Sequence, residues 1–279
     1  MKKINNLIDD IYKSLAPLSN GKSLKISEDI IENFGEKIKD VIRHWSIAQG
    51  SDSDSIRMSN IGKPLRRMWY DSKYGTSKKI EDPYLPIKFL YGHILEEVLL
   101  FLVELAGHKA TDKQKEVSLN GIKGHIDCKI DGEIVDIKTA SNFAFNKFKN
   151  GTLVNDDPFG YLAQLSGYEE AEGSTQGGFL VINKETGELV LYRPDELDKP
   201  NSYNLITKVK NALANEEPPE LCYEPVPEGK AGNMKLSKNC TYCPHKFRCY
   251  PNLRVFKYSK GLTYFTKIVN EPKVEEVWL

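Results

Sequence analysis

Several features are scarce in this 279-residue chain. No apolar run approaches the ~20 residues that a membrane span needs, so no membrane partner is expected. The first residues, MKKINNLIDDIYKSL, carry acids early and lack the long apolar core of a secretion signal, which predicts a cytoplasmic protein. Five cysteines are too few for a disulfide framework at this length, and four of them crowd between 222 and 249, which argues for another use. Net charge is missing too. Lys and Arg number 39 and so do Asp and Glu, so any contact with nucleic acid must rest on local patches. What remains is ordinary: 40% hydrophobic and 28% charged residues, enough for one large core or a core with an appendage.

The most informative stretch runs from Gly121 to Lys138, GIKGHIDCKIDGEIVDIK. Two short β-type runs flank Asp131-Gly132, a pair suited to two-residue hairpin turns because both central positions need φ > 0. That turn sets Ile130 opposite Glu133, Cys128 opposite Val135 and Asp127 opposite Asp136. Facing residues in an antiparallel ladder have Cβ atoms roughly 4.5–5.5 Å apart, so two carboxylates there repel unless a positive charge lies between them. Lys138, two residues beyond Asp136, projects from the same face, while Ile122, Ile126, Ile130, Val135 and Ile137 line the other. A divalent cation is the simplest resolution of the facing acids.

GHID followed by VDIK resembles the core motifs of the RecB-like branch of the PD-(D/E)XK nuclease superfamily, in particular phage and CRISPR-associated-type exonucleases with a cysteine metal cluster. The resemblance spans roughly residues 59–251. It implies an α/β restriction-endonuclease-like core, a mixed sheet flanked by helices, with a C-terminal cysteine metal-binding region. It also implies Mg²⁺- or Mn²⁺-dependent hydrolysis of DNA, by an exonuclease more than an endonuclease, in recombination, repair or phage DNA processing. On that reading Asp127 and Asp136 hold the metal and Lys138 orients water or stabilises charge. The alternative is an inactive DNA- or protein-binding module on the same fold. DNA, as single strands or duplex ends, is the implied partner, with a recombination or replication protein beside it, in a bacterial or phage-infected cell.

The remaining candidates follow along the chain. Residues 1–58 are expected to be a helical region, 59–215 the core, and 216–279 the cysteine cluster with a closing hairpin. The first part has apolar positions such as Leu7, Ile11, Leu15, Ile38, Val41 and Trp45, a connection near 16–25 and a polar loop at 49–55. Arg66 and Arg67 beside Trp69 combine cationic and stacking groups that suit single-stranded nucleic acid. The stretch from Pro86 to Gly107 reads as a helix apolar nearly all round, buried and closed by Gly107. Its Glu96 and Glu97 would then need partners. Related nucleases carry a His near the metal at the fourth position after a Gly. Gly92-His-Ile-Leu-Glu96 offers Glu96 instead, assigned to the metal directly or through water.

A strand is expected at 113–118. Lys147 and Lys149 interleave with Phe143, Phe145 and Phe148 as a nucleic-acid patch or as core packing. Gln164 and Tyr168 share a helix face at i, i+4 and match a Gln-x-x-x-Tyr motif of the same family, where it supports the site. Strands follow at 178–183 and 188–193. The cysteines read Cys222-x17-Cys240-x2-Cys243-x5-Cys249, in which a chelating turn and two further thiols complete four-sulfur coordination. The triplet resembles that of iron–sulfur RecB-like nucleases and implies a [4Fe-4S] cluster. Their upstream Cys is replaced here by Pro64 or Leu65, so Cys222 takes its place and zinc stays open as the alternative. Digestion polarity and oligomeric state are not encoded in any of these motifs.

Overall fold

The computed structural model describes residues 2–47, 56–75, 84–230 and 232–278. The polar stretch at 49–55 lies outside them. The helices are α1 (Leu7–Ser19), α2 (Glu28–Trp45), α3 (Leu65–Tyr74), α4 (Leu85–Leu105), α5 (Asn142–Lys149), α6 (Tyr161–Glu172), α7 (Ser202–Ala214), α8 (Lys238–Thr241) and α9 (Lys246–Cys249). The strands are β1 (Ala110–Thr111), β2 (Lys115–Leu119), β3 (Ile122–Ile126), β4 (Cys128–Ile130), β5 (Glu133–Ala140), β6 (Gly178–Asn183), β7 (Leu189–Tyr192), β8 (Val226–Glu228), β9 (Asn233–Lys235), β10 (Arg254–Tyr258) and β11 (Gly261–Lys267). They form two compact units. The first holds 2–47, 56–62 and 84–207, the second 63–75, 208–230 and 232–278, with the boundary inside α7.

The first unit is built on a mixed sheet of order β1-β4-β5-β6-β7, in which only β5 and β6 run parallel. Alternation along β5 and β6 feeds two apolar layers. Ile134, Phe179 and Val181 face α5 and α6, with Phe145, Phe148, Leu162 and Leu165. Val135, Ile137, Leu180 and Ile182 face α1 and α4, with Leu7, Ile11, Leu99 and Val103. Helices thus flank a mixed α/β sheet on both faces.

Asp131 and Gly132 both have positive φ, 52° and 93°, and the register pairs Ile130 with Glu133 and Cys128 with Val135, as the turn chemistry requires. The turn is also anchored from outside. The Asp131 carboxylate lies 2.5 Å from Nδ1 of the buried His108 and accepts the backbone N–H of Lys109. The other ring nitrogen of His108 lies 3.2 Å from Asp10 of α1.

Two expectations are corrected here. The apolar residues expected on one face of the hairpin divide between the two layers: Ile122 and Ile126 join the α6 side, Cys128, Ile130, Val135 and Ile137 the α4 side. The cause is a break at Asp127, which ends β3 and lets β3 pair with β2 in a separate ladder while β4 joins the main sheet. Nor is α4 buried along its length. Leu99, Leu100 and Val103 are buried, but Ile87, Phe89 and Tyr91 near its start are exposed. Only the C-terminal half crosses the sheet; Gly107, at φ 77°, ends the helix as expected.

Close backbone approach fixes α6 against the segment before α3. Gly160, its N-cap at φ 75°, meets Gly62 so closely that a Cβ on either would collide with the other's backbone. In the second unit, four antiparallel strands run β10-β11-β9-β8. The closing hairpin of 253–279 is there as β10 and β11, and Arg254 clamps the tail through Glu271 and Glu276. No helix among the described residues is long and apolar enough to cross a membrane.

Candidate active site

The break at Asp127 is what builds the site. The β4–β5 ladder stops at Cys128–Val135, and the next N–H of β5, that of Ile137, is taken by the Asp127 carboxylate at 2.7 Å. A side chain replaces the lost backbone acceptor, which draws Asp127 toward Asp136. Asp136 is 1% exposed, and its Oδ1 is buried with no hydrogen-bond partner. Lys138 lies beside it, with Nζ 2.5 Å from Oδ2. Burial of an unpaired carboxylate oxygen costs several kcal/mol on general grounds, so this arrangement is one a positive charge would relieve.

The electrostatics point the same way. Burial, and then the charge of Asp136, pushes the Asp127 carboxyl up to about 8. Burial works against the Lys138 ammonium, yet the charges of Asp136 and Asp127 outweigh it and raise its pKa above the ordinary lysine value. The two acids thus favour the charged form of Lys138. Glu96 is raised by burial, then by the charges of Glu97 and Asp136, and accepts a hydrogen bond from Gln114 at 3.3 Å. Glu97 has different neighbours: its pKa is raised by burial, with Lys113 and Lys37 opposing. Glu96 thus lies in the field of Asp136 as well as of Glu97. His93 is exposed.

From α6, Gln164 donates to the Tyr168 hydroxyl at 3.1 Å, both side chains buried, and burial pushes Tyr168 up to about 12. Asp136, Asp127 and Lys138 all lie in its field. One residue escaped the sequence reading. Tyr161, one turn before Gln164 on the same helix face, carries the Lys138 ammonium 4.8 Å from its ring centroid. The spacing Tyr161, Gln164, Tyr168 could have revealed it.

Lys147 and Lys149 are both engaged. Lys147 pairs with Asp156 and lies over the Phe143 ring, while Lys149 pairs with Glu188. Phe145 and Phe148 are core residues.

In the second unit the arginine–aromatic segment serves the cysteines. Trp69 is 5% exposed and donates its indole N–H to the Asn215 carbonyl, so it packs instead of offering a face to a base. Arg66 donates through Nε to the Cys249 sulfur at 3.2 Å and through NH1 to the Pro219 carbonyl at 2.5 Å. Arg67 lies 3.9 Å from Asp71, and its backbone N–H, in the first turn of α3, reaches the Cys222 sulfur. His245 is buried, bonded to Asp71 at 2.7 Å and stacked on Tyr70, and its backbone N–H reaches Cys243. Cys222 lies in the field of Cys240, Cys243 and Cys249, and burial raises the thiol pKa of Cys222, Cys240 and Cys243. None of the five cysteines is in a disulfide. Among the described residues, no three His, Cys, Asp or Glu side chains are disposed to hold a metal ion. The donor chemistry of both groups nonetheless suits cations: a buried Asp136 oxygen left unpartnered, and four clustered sulfurs, three of them supplied with N–H donors.

No family model matches the chain, and no curated protein matches it. Solved structures give distant likenesses. The protein SSO0001 matches at 18% identity over 79% of this chain and 95% of its own, with a TM-score of 0.38. An alkaline exonuclease from Laribacter hongkongensis matches at 11% identity over 61% of this chain and 94% of its own, TM-score 0.40. A phage-related exonuclease from Haemophilus somnus 129PT matches at 14% identity over 56% and 88%, TM-score 0.36. Likeness at this level decides nothing about this chain, and the reading rests on the residues.

The raised pKa of Asp127 makes a prediction with a definite sign. An acid that binds its proton more tightly when folded costs nothing below the unfolded value of about 4, and destabilises increasingly as pH rises toward its folded value of about 8. Asp127→Asn keeps an oxygen for the Ile137 N–H and removes the charge. In EDTA it should be more stable than wild type at pH 8, on the order of 1–3 kcal/mol, with the gap closing toward pH 4.5. Denaturant unfolding at both pH values measures this. A gap independent of pH, or a loss of stability at pH 8, would contradict the buried like-charge pair.

Proposed function

We propose that the chain is a divalent-metal-dependent deoxyribonuclease of the RecB-like type, acting as an exonuclease on DNA strands in recombination, repair or phage DNA processing. The observation that carries this reading is the convergence of Asp127, Asp136 and Lys138 at a strand break, with the Asp136 carboxylate buried, one oxygen paired with Lys138 and the other unpartnered.

Asp127 and Asp136 would hold Mg²⁺ or Mn²⁺, with Glu96 assisting. The metal supplies Lewis-acid polarisation of the phosphate and a lowered pKa for attacking water. The protein's own groups do the rest. Lys138, kept charged by its two acids, stabilises negative charge developing on the phosphate. Asp127, whose protonated form burial and Asp136 favour, would have to lose its proton to take part in holding the metal. Gln164 and Tyr168 form a buried, hydrogen-bonded support beneath the carboxylates and position the strand. Lys147 and Lys149 can contribute to phosphate contacts only by leaving Asp156 and Glu188, and Arg66 and Arg67 are committed to the cysteine region. A second reading, an inactive binding module, draws on the Lys138–Asp136 pair, in which the lysine already neutralises the acid.

Labelled single- and double-stranded DNA incubated with Mg²⁺, Mn²⁺ or EDTA separates the two. Wild type should cut only with metal. Asp136→Asn and Lys138→Ala should each lower the rate about 100-fold or more while remaining folded. Binding without cleavage in every metal would favour the inactive module, and full activity in either variant would refute the site.

Cys222, Cys240, Cys243 and Cys249 are proposed to hold a [4Fe-4S] cluster, with zinc as the alternative. In support, the Cys222 sulfur accepts the backbone N–H of Arg67 in the first turn of α3, close in sequence to Pro64 and Leu65, where the resemblance would put an upstream cysteine. Protein purified without oxygen should be brown and bleach on reduction, and Cys222→Ser should lose the colour. Colourless protein with one zinc would replace the cluster by zinc. Undiminished metal content in Cys222→Ser would refute that ligand.

A further inference from the structure

We propose that Phe159 is a base-stacking residue, taking an unpaired nucleobase of the strand whose phosphate lies at Lys138. This rests on the nuclease reading above and specifies how the substrate is presented.

Phe159 is 61% exposed, and it is not a loose side chain. One face of its ring stacks on Tyr161, with centroids 5.4 Å apart and planes 22° from parallel. Tyr161 is held from behind by Phe148 and Phe179, at 6.0 and 6.3 Å. It also bears the Lys138 ammonium. The result is a continuous series: an exposed ring, a packed ring, an ammonium and the Asp136 carboxylate.

The turn that carries Phe159 is pinned at each position around it. Lys147 binds both the carbonyl and the carboxylate of Asp156. Asp157 accepts the Leu162 N–H at 2.9 Å through its side chain and the Gly160 N–H at 3.2 Å through its carbonyl. Gly160 is locked against Gly62. A large apolar ring exposed to water, held with one face on a tyrosine that itself carries an ammonium, is suited to stacking a flat ligand on its open face.

The ligand chemistry follows from the pair of groups. The ammonium takes a phosphate, and the ring takes a flat π-system of any base identity. One stacked ring separates them, within reach of a single nucleotide. A base inside a duplex already has stacking neighbours on both sides, so the base that reaches Phe159 comes from a single strand or a frayed end. The site is thereby fitted to a strand that is unpaired where it is cut.

The test uses the full chain and short single-stranded oligonucleotides with 2-aminopurine stepped through each position, bound in Ca²⁺. Wild type should quench 2-aminopurine strongly at one position. Phe159→Leu, which keeps apolar bulk and loses the π face, should abolish that quench and weaken binding about tenfold. Phe159→Tyr should retain both. The loss should be larger for single strands than for a blunt duplex of the same length. Unchanged affinity and quenching in Phe159→Leu would overturn the stacking role while leaving the nuclease reading intact. Equal losses on single and double strands would overturn the single-strand specificity. A wild-type chain that neither binds nor cuts any of these DNAs would remove the nuclease reading, and the stacking role with it.

Discussion

Two carboxylates held together inside a protein must be compensated, and in this chain Asp127 and Asp136 set that requirement. Asp136 lies on the central parallel pair of the sheet, where β5 and β6 are covered on both faces, and it cannot turn to water. Asp127 is held against the same strand because it replaces the missing ladder acceptor for Ile137. Lys138 answers part of the charge and is itself kept charged by it. Around this group the surroundings are arranged for support: Glu96 and Gln114 on one side, Tyr161, Gln164 and Tyr168 on the other.

Much of this was legible in the sequence, because short-range chemistry controls it. Asp131-Gly132 has few conformations to choose from, and the turn fixes the register out to Cys128 and Val135. From there the approach of Asp127 to Asp136 follows, although the sequence suggested a continuous ladder and the structure uses a side chain where the ladder ends. That difference was not readable, since whether a strand continues or breaks depends on which partner its far half meets. Here β3 leaves with β2, and its isoleucines change layers. The exposed start of α4 escaped for a similar reason. An apolar helix states that it can be buried, not what covers it.

The arginine–aromatic segment shows the same limit from the other side. Arg66, Arg67 and Trp69 have the composition of a nucleic-acid surface, but composition does not specify the partner. In the second unit Trp69 is a packed anchor, Arg66 a donor to Cys249, and the α3 backbone a donor to Cys222. The N–H donors at Cys222 and Cys243 oppose, without overcoming, the burial that raises these thiols.

The central claim, that Asp127 and Asp136 form a cation site poised by its own repulsion, is tested most directly by calorimetric titration of Mn²⁺ into metal-stripped protein near pH 7.5. Repeating it in buffers of different ionisation enthalpy reports protons released. The account predicts binding accompanied by proton release as the cation displaces the proton held by Asp127, and loss of that binding in Asp136→Asn with the fold intact. Binding unchanged in Asp136→Asn, or binding in wild type without proton release, would contradict it.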